Sequence, residues 1–285
     1  MLTTVGAAAM AAPVRAEPTL PVVATFSILA DFVRVLGGSR VAVRSLVGPN
    51  GDPHVYDPSP ADAQAVKGAS LLVENGLGLE GWMARLAASA HSAARVVIAS
   101  QGVAKLTAEG GKLDPHAWQS VANAALYAAN IRDGLIGADA AGRTTYEENA
   151  ARYRAELDAL DAEVRAAMAK IPPERRRIVT THDAFAYFGA AYGLELIAPA
   201  GVSTEGEISA RDLGAIIAQI RAGHIPAVFL ENMSDPRIAE QIARETGAKI
   251  GGVLYTDALS PPDGPAPTYI AMMRHNIMEL TKALA

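Results

Sequence analysis

Apolar positions in this chain follow two alternating rhythms. Short runs rich in β-branched residues fall at 22–26, 41–47, 71–74 and 96–99, and again at 177–181, 194–197, 227–230 and 250–254. Between them, apolar residues recur every three or four positions, the spacing of a helix with one buried face. Strands alternating with helices predict β-α-β units and parallel sheets. Four strands in each half suffice for a small independent sheet. The predicted fold class is therefore α/β, with two lobes, each a mainly parallel four-stranded sheet flanked by helices.

The longest helical pattern, 142–170, lies between the halves. Tyr146, Ala150, Tyr153, Leu157, Leu160, Val164 and Met168 mark its apolar face, and Pro172 and Pro173 close it. A helix of that length spans on the order of 40 Å. Flexible linkers are built from Gly, Ser or Pro, so this segment predicts a long rigid linker helix; the alternative is a core helix of one larger domain. The expected division is a signal-peptide remnant at 1–16, an N-terminal lobe at 17–139, the linker helix at 140–171 and a C-terminal lobe at 172–285.

Composition narrows the function. The chain is 50% hydrophobic and 19% charged, enough apolar content for a globular core. A net charge of -5, with no run of Lys or Arg, excludes the electrostatic footprint of nucleic-acid binding. Aromatic residues make up 5%, too few to favour a sugar cleft lined by flat rings. The apolar run 5–12, followed by Val14-Arg15-Ala16, reads as a signal-peptide core and cleavage site, although no basic residue precedes it. No later segment has the apolar length of a membrane helix. With no Cys, disulfides and thiolate ligands are excluded, and no acceptor for a lipid anchor follows the leader. A monomer free in the periplasm is expected.

Two of the six His share one tripeptide, Asp52-Pro53-His54 and Asp114-Pro115-His116. The proline fixes its own backbone and biases the preceding Asp towards extended geometry, so each loop presents its His rigidly. His182 follows the first strand of the second half and Asp257 follows the last, both at the carboxyl ends where parallel sheets bind ligands. Three imidazoles and one carboxylate form a four-coordinate N/O set suited to zinc. Asp52, Asp183 and Glu231 are the candidates for carboxylates that orient a ligating ring. His91, His224 and His275 read as structural or solvated. The Gly- and Pro-rich stretch 257–267 marks Asp257 as the most mobile of the four groups.

These segments resemble the cluster A-I (cluster 9) substrate-binding proteins of bacterial zinc and manganese ABC transporters. The resemblance rests on Gly48-Pro49-Asn50-Gly51-Asp52-Pro53-His54, Asn75-Gly76-Leu77-Gly78-Leu79-Glu80, Asp114-Pro115-His116-Ala117-Trp118, His182-Asp183-Ala184-Phe185 and the run from Gly251 to Ser260. It implies metal bound between the lobes by His54, His116, His182 and Asp257, and delivery to a membrane permease. Zinc (Zn2+) is the expected cargo and manganese (Mn2+) the alternative, since manganese members place a Glu where His182 stands. Two departures are Gln119-Ser120, where the family often continues Leu-Asp-Pro, and the absence of a His-rich loop. A secreted zinc hydrolase is the alternative of another class; it lacks support because four ligands leave no position for water and no His-Glu-x-x-His helix occurs.

Overall fold

The computed structural model describes residues 19–285 except Glu207, so the expected leader at 1–16 lies outside the described residues. Strand β1 (Leu20–Phe26) is apolar almost throughout because helices cover both faces of its sheet. It leads directly into helix α1 (Ser27–Gly37). Then follow β2 (Val41–Val47), α2 (Pro60–Gly68), β3 (Leu71–Glu74), α3 (Met83–Ala90), β4 (Arg95–Ile98) and α4 (Val121–Ala138). The long helix α5 (Arg143–Met168) leads to β5 (Arg177–Val179), α6 (Ala186–Tyr192), β6 (Glu195–Ile197), α7 (Ala210–Gly223) and β7 (Ala227–Glu231). Helix α8 (Pro236–Thr246), β8 (Lys249–Leu254) and α9 (Tyr269–Leu284) complete the order.

The strands form two four-stranded sheets in the orders β2-β1-β3-β4 and β6-β5-β7-β8. Every pairing within them is parallel. The strand order reverses direction at β1/β3 and again at β5/β7, the crevice where parallel sheets gather their ligand loops. All eight sequence-predicted strands are present, with ends displaced by two residues at most. β1 starts two residues early, and β5 stops two early, at Val179, because the Thr181 and His182 amides turn towards the Glu231 carboxylate.

The predicted face of α5 is buried, with Asn149 added to it. This helix packs on α1 and α4 from the first half and on α6 and α9 from the second. One apolar cluster runs through it from Val22 to Leu284, so α5 is a core element of both halves. A second cluster, including Val179, Ile217, Ile220, Val228 and Ile242, joins the other face of the second sheet to α7 and α8. Among the described residues no helix is long and apolar enough to cross a membrane.

Helix α9 belongs to the second half by sequence, yet its start is bonded to the first. Asp31 of α1 accepts a 2.8 Å hydrogen bond from the Tyr269 amide, and the Tyr269 hydroxyl donates to the Trp118 carbonyl at 2.7 Å. Burial pushes the Asp31 carboxyl up from 3.8 to about 6, against the pull of the Tyr269 amide and Arg34. A folded-state value above the unfolded one means that ionisation costs stability. That cost is absent below pH 3.8, grows as pH rises, and is complete above about 6. Asp31→Asn keeps a carbonyl for the Tyr269 amide and removes the charge. It is expected to gain up to about 3 kcal/mol over wild type at pH 7 and almost nothing at pH 3.5. Urea unfolding of both proteins at the two pH values measures this, and a difference that does not change with pH contradicts it.

Candidate metal centre

Both Asp-Pro-His loops are held by the segment between β3 and α3. The Trp82 indole donates to the Pro53 carbonyl at 2.8 Å, and the Asn75 side chain donates to the Pro115 carbonyl at 2.9 Å. Asn75 is itself oriented by the Tyr127 hydroxyl. The buried Glu80 carboxylate accepts from Thr25 and from the Asn75 and Gly76 amides, which fixes the turn. Gly76 and Gly78, at φ of 80° and 87°, supply the left-handed conformations that this turn requires.

In each tripeptide the Asp accepts from the His amide two residues on, at 2.8 Å. The remaining contacts differ. Asp114 Oδ1 also lies 2.7 Å from His116 Nδ1. Asp52 instead sends Oδ2 across the cleft to the Thr204 hydroxyl at 2.6 Å. The first tripeptide thus joins the two halves, while the second orients its own ring.

In the second half, His182 leaves the end of β5 with Nδ1 2.6 Å from Glu231 Oε1, at the end of β7. Asp257 follows β8, and its segment is fastened to the first half. The Thr256 carbonyl accepts from Trp118 Nε1 and Gln119 Nε2, both at 2.9 Å. The Leu259 amide donates to Ser27 Oγ at 2.9 Å, and its carbonyl accepts from the Asn50 amide. Asp257 is fully buried. Gly and Pro content suggested a mobile loop; these tertiary bonds fasten the segment to the first half.

The structure brings the four sequence-predicted groups together. Ligand atoms of His54, His116, His182 and Asp257 all lie within 4.8 Å of one another, and all four residues are buried. Asp257 Oδ2 is 3.2 Å from His54 Nε2 and 3.0 Å from His182 Nε2. Asp257 Oδ1 is 3.5 Å from His116 Nε2, and the His54 and His116 Nε2 atoms are 3.3 Å apart. A tetrahedron with bonds of about 2.0–2.1 Å has edges of about 3.3–3.4 Å, so these separations suit one small cation. Both Asp257 oxygens are buried without a hydrogen bond of good geometry. Such an arrangement is costly unless a cation shares it.

Electrostatics support the same use. Burial alone would raise the Asp257 carboxyl, but His182 and His116 hold it well below the usual carboxylate range. Burial likewise opposes charge on His116, yet Asp257 and Asp114 push it up to about 9. Cationic character is thus stabilised here by carboxylates from both halves. Two cavities reach the cluster. One, of about 560 Å³, is lined by Asp52, His182, Thr204 and Asp235. The other, of about 570 Å³, is lined by His54, Lys105, Lys112 and Glu205.

Of the expected orienting carboxylates, Glu231 meets a ring and Asp52 does not. Asp183 bonds Gly201 through its amide, and burial pushes its carboxyl up. Sequence reasoning missed Asp114 in this role, although its place two residues before His116 was a usable signal. It also missed Trp82, Asn75 and Gln119, whose partners are distant in the chain. His91 and His224 close helices in left-handed conformations, and His275 contacts the Val253 carbonyl. After Gln119-Ser120, α4 starts without a side-chain cap: Ser120 makes none, and the Val121 amide donates to the Tyr192 hydroxyl.

Two parallel sheets whose strand ends converge on a buried histidine-carboxylate cluster define a solute-binding protein built for a cation. Comparison with known proteins gives the family. The profile described as zinc-uptake complex component A, periplasmic (ZnuA), matches residues 22–283, and the chain belongs to this family of metal ABC transporter substrate-binding proteins. It is similar to the iron-binding protein YfeA of Yersinia pestis, 35% identical over 92% of this chain and 85% of that one. It is also similar to the manganese-binding lipoprotein MntA of Halalkalibacterium halodurans, at 34% identity over 93% and 89%. Among solved structures, the periplasmic zinc-binding protein TroA of Treponema pallidum superimposes with a TM-score of 0.90 at 32% identity, covering 94% of this chain and all of that one. The chain is the substrate-binding component of a metal transporter and not an enzyme. Relatives named as lipoproteins stand against the expectation of an unanchored protein.

The fastening of Asp257 generates a direct test. In the metal-free protein, the Tyr255 and Leu259 amides, bonded to Asn276 and Ser27, are expected to exchange hydrogen as slowly as those of β8. Exchange at the rate of an open loop would restore the sequence-based picture of a mobile Asp257.

Proposed function

We propose that this protein captures zinc in the cleft between its two sheets, with His54, His116, His182 and Asp257 as the four ligands, and delivers it to its permease from the periplasm. The observation that carries the reading is the buried cluster of three imidazoles and one carboxylate within 4.8 Å. Three nitrogens and one oxygen at tetrahedral separations suit zinc, whereas manganese favours more oxygen donors and higher coordination. The names of relatives span iron, manganese and zinc, so the donor atoms rather than the resemblance support the metal chosen. The division into lobes at 17–139 and 172–285, joined by the helix at 140–171, belongs to the same proposal, as does action as a monomer.

Position 182 gives the test of the metal. A Glu there offers two oxygens, removes one nitrogen, and adds a negative charge that attracts any divalent ion. The ratio of zinc to manganese affinity is therefore the useful quantity. In competition titrations under one buffer, His182→Glu is expected to lower that ratio by at least about tenfold. Replacing His54 or His116 by Ala is expected to weaken zinc binding by at least about tenfold, because a coordination position opens. A ratio that stays constant or rises in His182→Glu contradicts zinc selection at this position, and unchanged zinc binding in an Ala variant removes that residue from the site.

A further inference from the structure

The stretch 200–206 runs between the two cavities that reach the cluster. Ala200, Thr204 and Gly206 line one cavity, and Val202, Ser203 and Glu205 line the other, so a single segment walls both. Its base is fixed to its own half on either side of His182. The Ala200 amide donates to the Thr181 carbonyl at 3.2 Å, and the Gly201 carbonyl accepts from the Asp183 amide at 3.1 Å. Its far end is held differently. Among the described residues, the only hydrogen bond joining 200–206 to the first half is the 2.6 Å bond from the Thr204 hydroxyl to Asp52 Oδ2. Asp52 passes that hold on, because its Oδ1 accepts from the His54 amide at 2.8 Å. One carboxylate thus couples a side chain of the second half to the loop that presents a ligand from the first.

We propose that Thr204 is a positioning residue for metal retention: by holding Asp52 it pins the His54 loop to the second half, and so sets how readily the site releases its cargo. The proposal rests on the reading of the cluster as the metal site. The four ligands are at most 4% exposed, so an ion among them leaves only after the halves part. The Thr204 bond exists only while they are together, and removing it makes opening more frequent by the factor that the bond contributes. The exposed bond from Asn232 to Asn50 also crosses the cleft, at 3.0 Å, but it joins two neutral amides. The Thr204 bond is half-buried and ends on a carboxylate oxygen, the stronger kind of acceptor. Asp52 and Thr204 both line the first cavity, so water can replace a lost hydroxyl and the carboxylate is not stranded. The effect of the substitution is therefore confined to the tie.

The experiment mixes zinc-loaded protein with saturating chromophoric chelator in a stopped-flow instrument and reads the first-order release rate. It compares wild type, Thr204→Val, Thr204→Ser, Asp52→Ala and the Asp52→Ala/Thr204→Val double variant, with thermal unfolding of each metal-free protein to verify folding. Thr204→Val keeps the branched shape and loses the hydroxyl; it is expected to release zinc about tenfold faster. Thr204→Ser keeps the hydroxyl and is expected to stay within about twofold of wild type. Once Asp52 is Ala, Thr204→Val is expected to add nothing. The visible spectrum of cobalt(II)-loaded Thr204→Val is expected to match wild type, because the tie acts on opening and not on coordination. A wild-type release rate in Thr204→Val overturns the proposal, as does Thr204→Ser releasing as fast as Thr204→Val. So does an equal acceleration in the Asp52→Ala background, or an altered cobalt spectrum. If Asp52→Ala does not fold, the Thr, Ser and Val series decides alone. His182→Ala binding zinc like wild type would instead overturn the site reading itself, a separate outcome.

Discussion

A carboxylate with no exposure to water sits among three imidazole nitrogens, and much of the surrounding structure serves to keep it there. Asp257 reaches that place because Trp118 and Gln119 grip the preceding carbonyl and Ser27 holds the Leu259 amide. These donors come from the first half of the chain, whereas Asp257 follows the last strand of the second. The cluster therefore exists only when both halves are docked. Burial of an unshared charge is costly, so the same arrangement that assembles the site also gives it a strong preference for a cation.

This geometry divides the four groups unequally. His54, His116 and Asp257 are all fastened to the first sheet and its loops, directly or through the bonds to residues 256 and 259. His182 stands on the other side, supported by Glu231 from its own sheet. Across the cleft, the second half reaches the first loop through Thr204 to Asp52 and through Asn232 to Asn50. A metal held by all four would bridge these two sets, adding coordination bonds to a few polar contacts.

The α/β class and all eight strands were legible because the apolar rhythm changes period at each element, and parallel strands buried on both faces carry continuous runs of Val, Leu and Ile. The ligand set was legible for a different reason: His is rare in this chain, and the repeated Asp-Pro-His joins a rigid backbone to a metal-binding side chain. What distinguishes the two repeats was not legible. Asp114 turns to its own ring, whereas Asp52 turns to Thr204, 152 positions away in the chain. The fastening of the Asp257 segment was hidden for the same reason, since local Gly and Pro content carries no information about donors from Trp118, Gln119 and Ser27. Gln119 looked like a departure from a family pattern; in the fold it donates to the carbonyl beside the site.

The central claim concerns coordination, and X-ray absorption at the zinc edge of the loaded protein tests it most directly. The account predicts a shell of four light atoms at about 2.0–2.1 Å, with the outer-shell scattering of three imidazole rings. Two rings or fewer, or a shell of six oxygen-rich ligands at longer distance, would contradict it.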